Sequence, residues 1–111
     1  WALPWACAHE FFSIVTNPRI YPNPTPGAVA LDILTSLQSS RQCEFIGEGV
    51  NHLGILARLV EQSGCRGPRV HDARVAAVCL AHGVREIWTA DRDFAAFAPL
   101  KPVNPLVAGF S

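Results

Sequence analysis

Asp72, Asp91 and Asp93 are the residues whose types and spacing most clearly suggest chemistry. Asp72 lies near the start of an apolar helix predicted over residues 70 to 82, and the other two aspartates follow a short strand predicted over residues 86 to 89. Ligands of parallel α/β proteins bind at the carboxyl ends of the strands, and a helix N-terminus can face the same rim. Clustered carboxylates repel one another, and a hard divalent cation keeps them ionised most readily. The pattern therefore predicts a divalent-metal site.

Glu10 is a fourth candidate acid, on a helix predicted over residues 5 to 16 and ended by Asn17-Pro18. Each acid also has a purely structural interpretation. Asp72 would favour the helix dipole, and the two later aspartates could be turn or N-cap residues. Glu10 could be an ordinary solvated side chain, and Thr89 could hold a water molecule or simply end its strand. The functional interpretation depends on the acids acting together.

Arginines flank these acids in the sequence, as phosphate-binding groups would, although exposed arginine is also common on any surface. They are Arg66, Arg69, Arg74 and Arg92. The formal net charge is zero, so no overall basic field indicates a nucleic-acid partner. The four histidines show no metal-binding spacing, and no glycine-rich phosphate loop is present.

The composition indicates one domain, because 111 residues that are half apolar can form a single core but not two. The four cysteines are widely spaced, which favours free thiols in a reducing cytoplasm. No apolar run reaches the roughly 18 residues that a membrane span requires. We therefore expect a cytoplasmic domain with no membrane segment.

Helices alternate with short strands along the chain, which predicts an α/β fold with a parallel sheet. The second helix is expected to begin with Thr25 as N-cap and Pro26 as its first residue, and to bury Val29, Ile33, Leu34 and Leu37. The third is expected over residues 50 to 62, with Val50, Leu53, Ala57 and Val60 on one face. The remaining short elements are strands at 44–46 and 101–103 and a helix at 93–97.

Several of these segments, taken together, resemble the VapC-type PIN domain. The residues HDARVAAVCLAHGVREIWTADRDFAAF, followed by VNPL, resemble the C-terminal half of such a domain, and the upstream HEFFSIVTNPRIYPNP resembles its helix and T-N-P-R turn. The resemblance covers essentially the whole chain. It implies a three-layer α/β/α PIN-like fold with a short parallel sheet. It also implies a metal-dependent endoribonuclease, the toxin of a toxin–antitoxin pair, with an RNA substrate, a cognate antitoxin and a homodimeric state.

The resemblance also implies roles for individual residues. Glu10, Asp72 and Asp91 match the acidic site for Mg²⁺ or Mn²⁺, and Asp93 matches its less regular fourth acid. Thr89 matches a hydroxyl position before the last acids, and Asn104 matches a structural asparagine. Arg74 and Arg92 are the candidate substrate-binding residues.

One family feature has no counterpart here. The family begins with a central strand that carries its first catalytic aspartate, and nothing of this kind precedes Trp1. We therefore expect an N-terminally truncated domain of marginal stability, since loss of a central strand leaves buried backbone groups unpaired. The alternative is a catalytically inactive PIN-like module that binds only an antitoxin or its own copy. A small-molecule phosphatase is a weaker alternative, because it would need a nucleophile on that same strand.

Overall fold

The computed structural model describes residues 1–88 and 92–103, and for Arg92 and Asp93 it describes the backbone only. The described elements are four α-helices, two 3-10 helices and four short strands. In chain order they are β1 (Ala2–Pro4), α1 (Trp5–Val15), α2 (Gly27–Ser39), β2 (Glu44–Ile46), α3 (His52–Ser63), a 3-10 helix (Gly67–Arg69), α4 (Val70–Ala81), β3 (Glu86–Trp88), a 3-10 helix (Arg92–Ala96) and β4 (Lys101–Val103). The α/β class is therefore confirmed.

The chain divides into two compact units, an N-terminal unit (Trp1–Gly47) and a C-terminal unit (Glu48–Ser111). Each unit contains one parallel strand pair: β1 pairs with β2 in the first, and β3 pairs with β4 in the second. Strand β1 is absent from the sequence-based prediction. Three residues that run straight into a helix show no alternating pattern, and their pairing with β2 is a contact between distant parts of the chain.

The N-terminal unit is built on the pairing of β1 with β2 and the packing of α1 beside α2. The Trp5 ring packs edge-on against Phe45 of β2, with 4.6 Å between ring centroids. Helix α1 ends as predicted, before Asn17-Pro18, and the Thr16 hydroxyl donates a hydrogen bond to the carbonyl oxygen of Phe12. This packing holds the strand pair and the first helix together.

Helix α2 differs from the prediction at its start and on its buried face. It begins at Gly27 with Pro26 as the flanking residue, and no side chain caps it, so the N-cap role given to Thr25 is wrong. Ala30 is its one buried residue, whereas Val29 and Ile33 are 46% and 42% exposed. The small Ala30 allows close approach to the neighbouring elements, which leaves the larger side chains at the periphery.

The C-terminal unit has its core around α4. Ala73, Ala76, Ala77 and Val78 of this helix are almost completely buried. The three alanines form one cluster with Leu59 of α3, Phe94 and Phe97 from the region of the second 3-10 helix, and Leu100 before β4. Helix α4 is apolar almost all round in the sequence, and its five buried residues are what such a pattern predicts. Its alanines let large side chains from three other segments reach the helix surface.

Two predictions for this unit are wrong. Val50 lies outside α3 and is fully exposed, Leu53 is 75% exposed, and Ala57 is also exposed. Val60 packs on the core as predicted, but the other residues of this helix that do so are Ile55, Leu56 and Leu59. The predicted buried strand at 86–89 is only partly covered, since Ile87 is half-buried and Trp88 is 55% exposed.

Two other sequence-based expectations, for Gly83 and for the cysteines, are confirmed. Gly83 ends the α4 region with φ of 74°, a left-handed conformation that glycine adopts without strain. All four cysteines are free thiols. No described helix is long and apolar enough to cross a membrane.

Candidate metal and RNA site

Asp72 is placed by the first turn of α4, directly before the buried Ala73. The buried alanine fixes the helix against the core, and the carboxylate next to it stays half-exposed. The Asp72 carboxylate makes no hydrogen bond or ion pair with any other residue that the structure describes. At the N-terminal end of the helix, this carboxylate therefore keeps both oxygens available to a ligand.

The 3-10 helix Arg92–Ala96 carries the candidate Asp93, and it packs against α4. Phe94, one residue after Asp93, belongs to the same core cluster as Ala73, one residue after Asp72. The two segments that carry these aspartates are therefore anchored in one core. The side chains of Arg92 and Asp93, and the whole of Thr89, Asp91 and Asn104, lie outside the described residues.

The short connection from α4 to β3 shows at which edge of the C-terminal unit Asp72 lies. Only residues 82 to 85 separate the helix from the strand, and Ile87 of β3 packs on the cluster that α4 forms. A helix that returns so quickly into a parallel strand leaves its N-terminus at the edge where that strand ends. Asp72 and Trp88, at the end of β3, thus belong to the same edge of the C-terminal unit.

Glu10 lies near the middle of α1 in the N-terminal unit, and it is exposed. Its clearest electrostatic neighbour is Cys7. Burial raises the pKa of the Cys7 thiol, and the negative charge of Glu10 raises this pKa further. Glu10 therefore carries its charge on the face of α1 that bears Cys7. Glu10 belongs to the N-terminal unit and Asp72 to the C-terminal unit, so a shared metal site for the two acids stays a prediction.

Arg74 has a partner that the sequence did not indicate. Its Nε donates a hydrogen bond to Oε1 of Glu48 at 2.9 Å, and the two side chains are 42% and 36% exposed. The hydrogen bond from Arg74 lowers the pKa of the Glu48 carboxyl below its ordinary value, and nearby His52 contributes in the same direction. Glu48 follows β2 by two residues. The sequence signal for Glu48 is its position just after a predicted strand, the same position that singled out Asp91 and Asp93.

The lowered pKa of Glu48 predicts a small pH dependence of stability. A depressed folded-state pKa stabilises the fold above the unfolded value of about 4.5, and this stability is lost as the pH falls through the folded pKa. Because the pair is solvent-screened, we expect the loss to be below about 1 kcal/mol. Arg74→Gln should abolish the part of this pH-dependent loss that comes from the Glu48 carboxyl. The measurement is the free energy of unfolding in urea at a pH above 4.5 and at a pH below the folded-state pKa of Glu48. Arg66→Gln, which changes another exposed arginine, should retain this loss. Equal pH profiles for Arg74→Gln and the unmodified protein would contradict the assignment.

The donor chemistry of the predicted site fits a hard cation. All four candidate acids would offer carboxylate oxygens, the ligands that Mg²⁺ and Mn²⁺ prefer, and Asp72 is not committed to another described group. Among the side chains that the structure describes, no group of three or more from His, Cys, Asp or Glu is close enough to hold a metal ion. The proposed set therefore depends on Asp91 and Asp93 joining Asp72.

Parallel strand pairs, short strands between helices and an acid at the start of the most buried helix define a small PIN-like α/β protein.

No family model matches the chain. Ribonuclease VapC31 of Mycobacterium tuberculosis is 30% identical over 103 residues, which cover 93% of this chain and 70% of the relative. Ribonuclease VapC33 of the same species is 31% identical over 104 residues, covering 94% and 72%. Ribonuclease VapC48 is 28% identical over 103 residues, covering 93% and 71%. The chain belongs to the VapC family of PIN-domain ribonucleases.

Proposed function

We propose that this protein is a metal-dependent endoribonuclease, the toxin component of a toxin–antitoxin pair. The observation that carries the proposal is the similarity to named VapC ribonucleases along more than nine tenths of the chain. The uncommitted carboxylate of Asp72 at the N-terminus of α4 supports it. The substrate would be RNA, and the regulatory partner a cognate antitoxin protein. A homodimeric state is part of the same proposal.

Glu10, Asp72, Asp91 and Asp93 would hold Mg²⁺ or Mn²⁺ through their carboxylate oxygens. When bound, such an ion supplies Lewis acidity to the scissile phosphodiester and to the attacking water. Asp72 would contribute a fixed negative charge, because its backbone is anchored through Ala73 in the core. Thr89 would orient a water molecule or a substrate oxygen through its hydroxyl group.

Arg74 and Arg92 would bind RNA phosphates beside the acids, offsetting the repulsion between substrate and carboxylates. Arg74 is paired with Glu48 in the free protein. A phosphate would therefore compete with the Glu48 carboxylate for the guanidinium group. The pair is half-exposed, so the competition costs little and the arginine is held in a defined place before RNA arrives.

The direct test is a Mn²⁺ titration by calorimetry, combined with cleavage of a fluorogenic RNA oligonucleotide. We expect saturable Mn²⁺ binding that is lost in Asp91→Asn, and RNA cleavage that requires Mn²⁺ or Mg²⁺ and is abolished by chelation. Binding of Mn²⁺ without cleavage would leave a metal-binding, non-catalytic PIN module. Neither binding nor cleavage by the folded protein would reject the proposal in favour of a partner-binding role.

A further inference from the structure

A cleft of about 330 Å³ lies in the C-terminal unit, and Asp72 is not among its lining residues. Its apolar part is formed by Ile55 and Leu59 of α3 together with Leu80 and Val84 at the end of α4 and beyond it. Leu80 lies eight residues after Asp72 on α4, about 12 Å along the helix at 1.5 Å per residue. The cleft is therefore at the opposite end of this helix from the proposed catalytic edge.

Two arginines, Arg58 and Arg85, line this cleft beside the apolar side chains, and both are exposed. Neither forms a salt bridge with another residue in the described part of the chain, although Glu61 and Glu86 are close to them in sequence. Gln62 adds a neutral donor and acceptor to the lining. Among the residues that the structure describes, the cleft thus combines an aliphatic floor with two uncommitted positive charges and no acidic lining residue.

The side chains that line the cleft, and its openness, indicate which class of ligand it could bind. None of the described residues that line the cleft is an aromatic side chain on which a nucleobase could stack, and such stacking is the usual basis of single-stranded RNA recognition. It is also open: Arg58, Gln62, Arg85, Ala98 and Pro99 are all exposed. Small-molecule sites normally enclose most of their ligand, which this cleft would not do. A side chain presented by another protein fits better, because the partner's own backbone would cover the open side.

We propose that this cleft docks an acidic segment of a partner protein, with a bulky aliphatic or aromatic side chain on the Leu59–Leu80 floor and neighbouring carboxylates on Arg58 and Arg85. Arginine forms strong, geometrically specific hydrogen bonds with carboxylates, and it is enriched among the residues that dominate binding at protein interfaces. The proposal is independent of RNA cleavage, since the cleft lies at the opposite end of α4 from Asp72. It identifies a contact surface that remains available while the catalytic edge holds substrate.

The test is fluorescence anisotropy with a fluorescein-labelled peptide in which Leu and Phe alternate with Glu. A matched peptide carries Lys in place of every Glu. We expect saturable binding of the acidic peptide only. The double variant Arg58→Glu/Arg85→Glu should weaken this binding at least about tenfold, as expected for the loss of two charge-assisted hydrogen bonds. Arg41→Glu, the same charge change on an exposed arginine of the N-terminal unit, should leave it unchanged.

A second pair of variants tests the apolar part without altering charge. Ala98→Trp would fill the cleft from its exposed wall and should abolish binding of the acidic peptide. Ala95→Trp adds the same bulk at a nearby exposed alanine outside the lining and should not. Circular dichroism would establish that all variants remain folded.

Four results would overturn the proposal. They are failure of the acidic peptide to bind the folded protein, equal binding of both peptides, loss of a labelled RNA oligonucleotide's binding in the Arg58/Arg85 variant, and a change in self-association of that variant in sedimentation velocity. The last two would assign the cleft to RNA or to a second copy of this chain.

Discussion

Asp72→Asn is expected to reduce RNA cleavage by at least about 100-fold, the scale on which loss of one preorganised electrostatic group affects catalysis. Asparagine keeps the shape of the side chain and its place in the first turn of α4, but it removes the charge that would hold the metal ion. Because Asp72 makes no hydrogen bond or ion pair with another described residue, the fold should tolerate the change. Stability should fall only by about 0.3–1 kcal/mol, the value of an acid at a helix N-terminus.

The measurement compares cleavage of a fluorogenic RNA with urea unfolding on the same samples. Asp32→Asn is the matched control, because Asp32 is an exposed aspartate on α2 and has no proposed role in the site. We expect this control to retain full activity. Comparable activity in Asp72→Asn and Asp32→Asn would contradict the metal-ligand role. A large loss of stability in Asp72→Asn would instead show that the aspartate is chiefly a structural residue of the helix.

Phe97→Ala is expected to cause the largest loss of stability of any single change considered, about 3–5 kcal/mol. Phe97 is completely buried, and its ring meets that of Phe94 edge-on at 5.9 Å between centroids. The substitution removes apolar contacts and leaves a cavity beside the tightly packed alanines of α4. Such a loss is a large part of the 5–15 kcal/mol that typically stabilises a domain.

Urea unfolding followed by circular dichroism measures this effect, with Phe97→Leu as a milder variant that keeps most of the buried volume. Leu53→Ala is the control, because Leu53 is 75% exposed on α3 and its truncation should change stability by no more than about 0.5 kcal/mol. The predicted order is a small effect for Leu53→Ala, an intermediate one for Phe97→Leu and the largest for Phe97→Ala. Similar effects of Phe97→Ala and Leu53→Ala would contradict the position of the core.

The buried faces of α2 and α3 were not predicted correctly from the spacing of apolar residues in the sequence. Helix α2 was expected to bury Val29 and Ile33, yet its buried residue is Ala30, and α3 turns Leu59 rather than Leu53 towards the core. Both helices carry apolar residues on more than one side, so hydrophobic spacing alone leaves the inward direction open. The neighbours available for packing make the choice, and small residues are selected where helices approach closely.

The sequence by itself determined the order and type of most elements, the burial of α4 and the glycine stop at Gly83, and it predicts the acids of the candidate site. These features depend on local signals: apolar spacing, prolines, glycines and charged residues next to predicted strand ends. The resemblance to the VapC family, carried by two contiguous segments, was equally readable before any fold was known, and the relatives confirm it.

Only the tertiary structure decided the pairing of β1 with β2, the ion pair between Glu48 and Arg74, and the cleft lined by Arg58 and Arg85. The strand pair and the ion pair each bring together residues more than 20 positions apart in the chain, and the cleft is formed by three separate segments. No local propensity encodes such contacts, because their free energy arises only when the intervening chain has folded and its loop-closure entropy has been overcome.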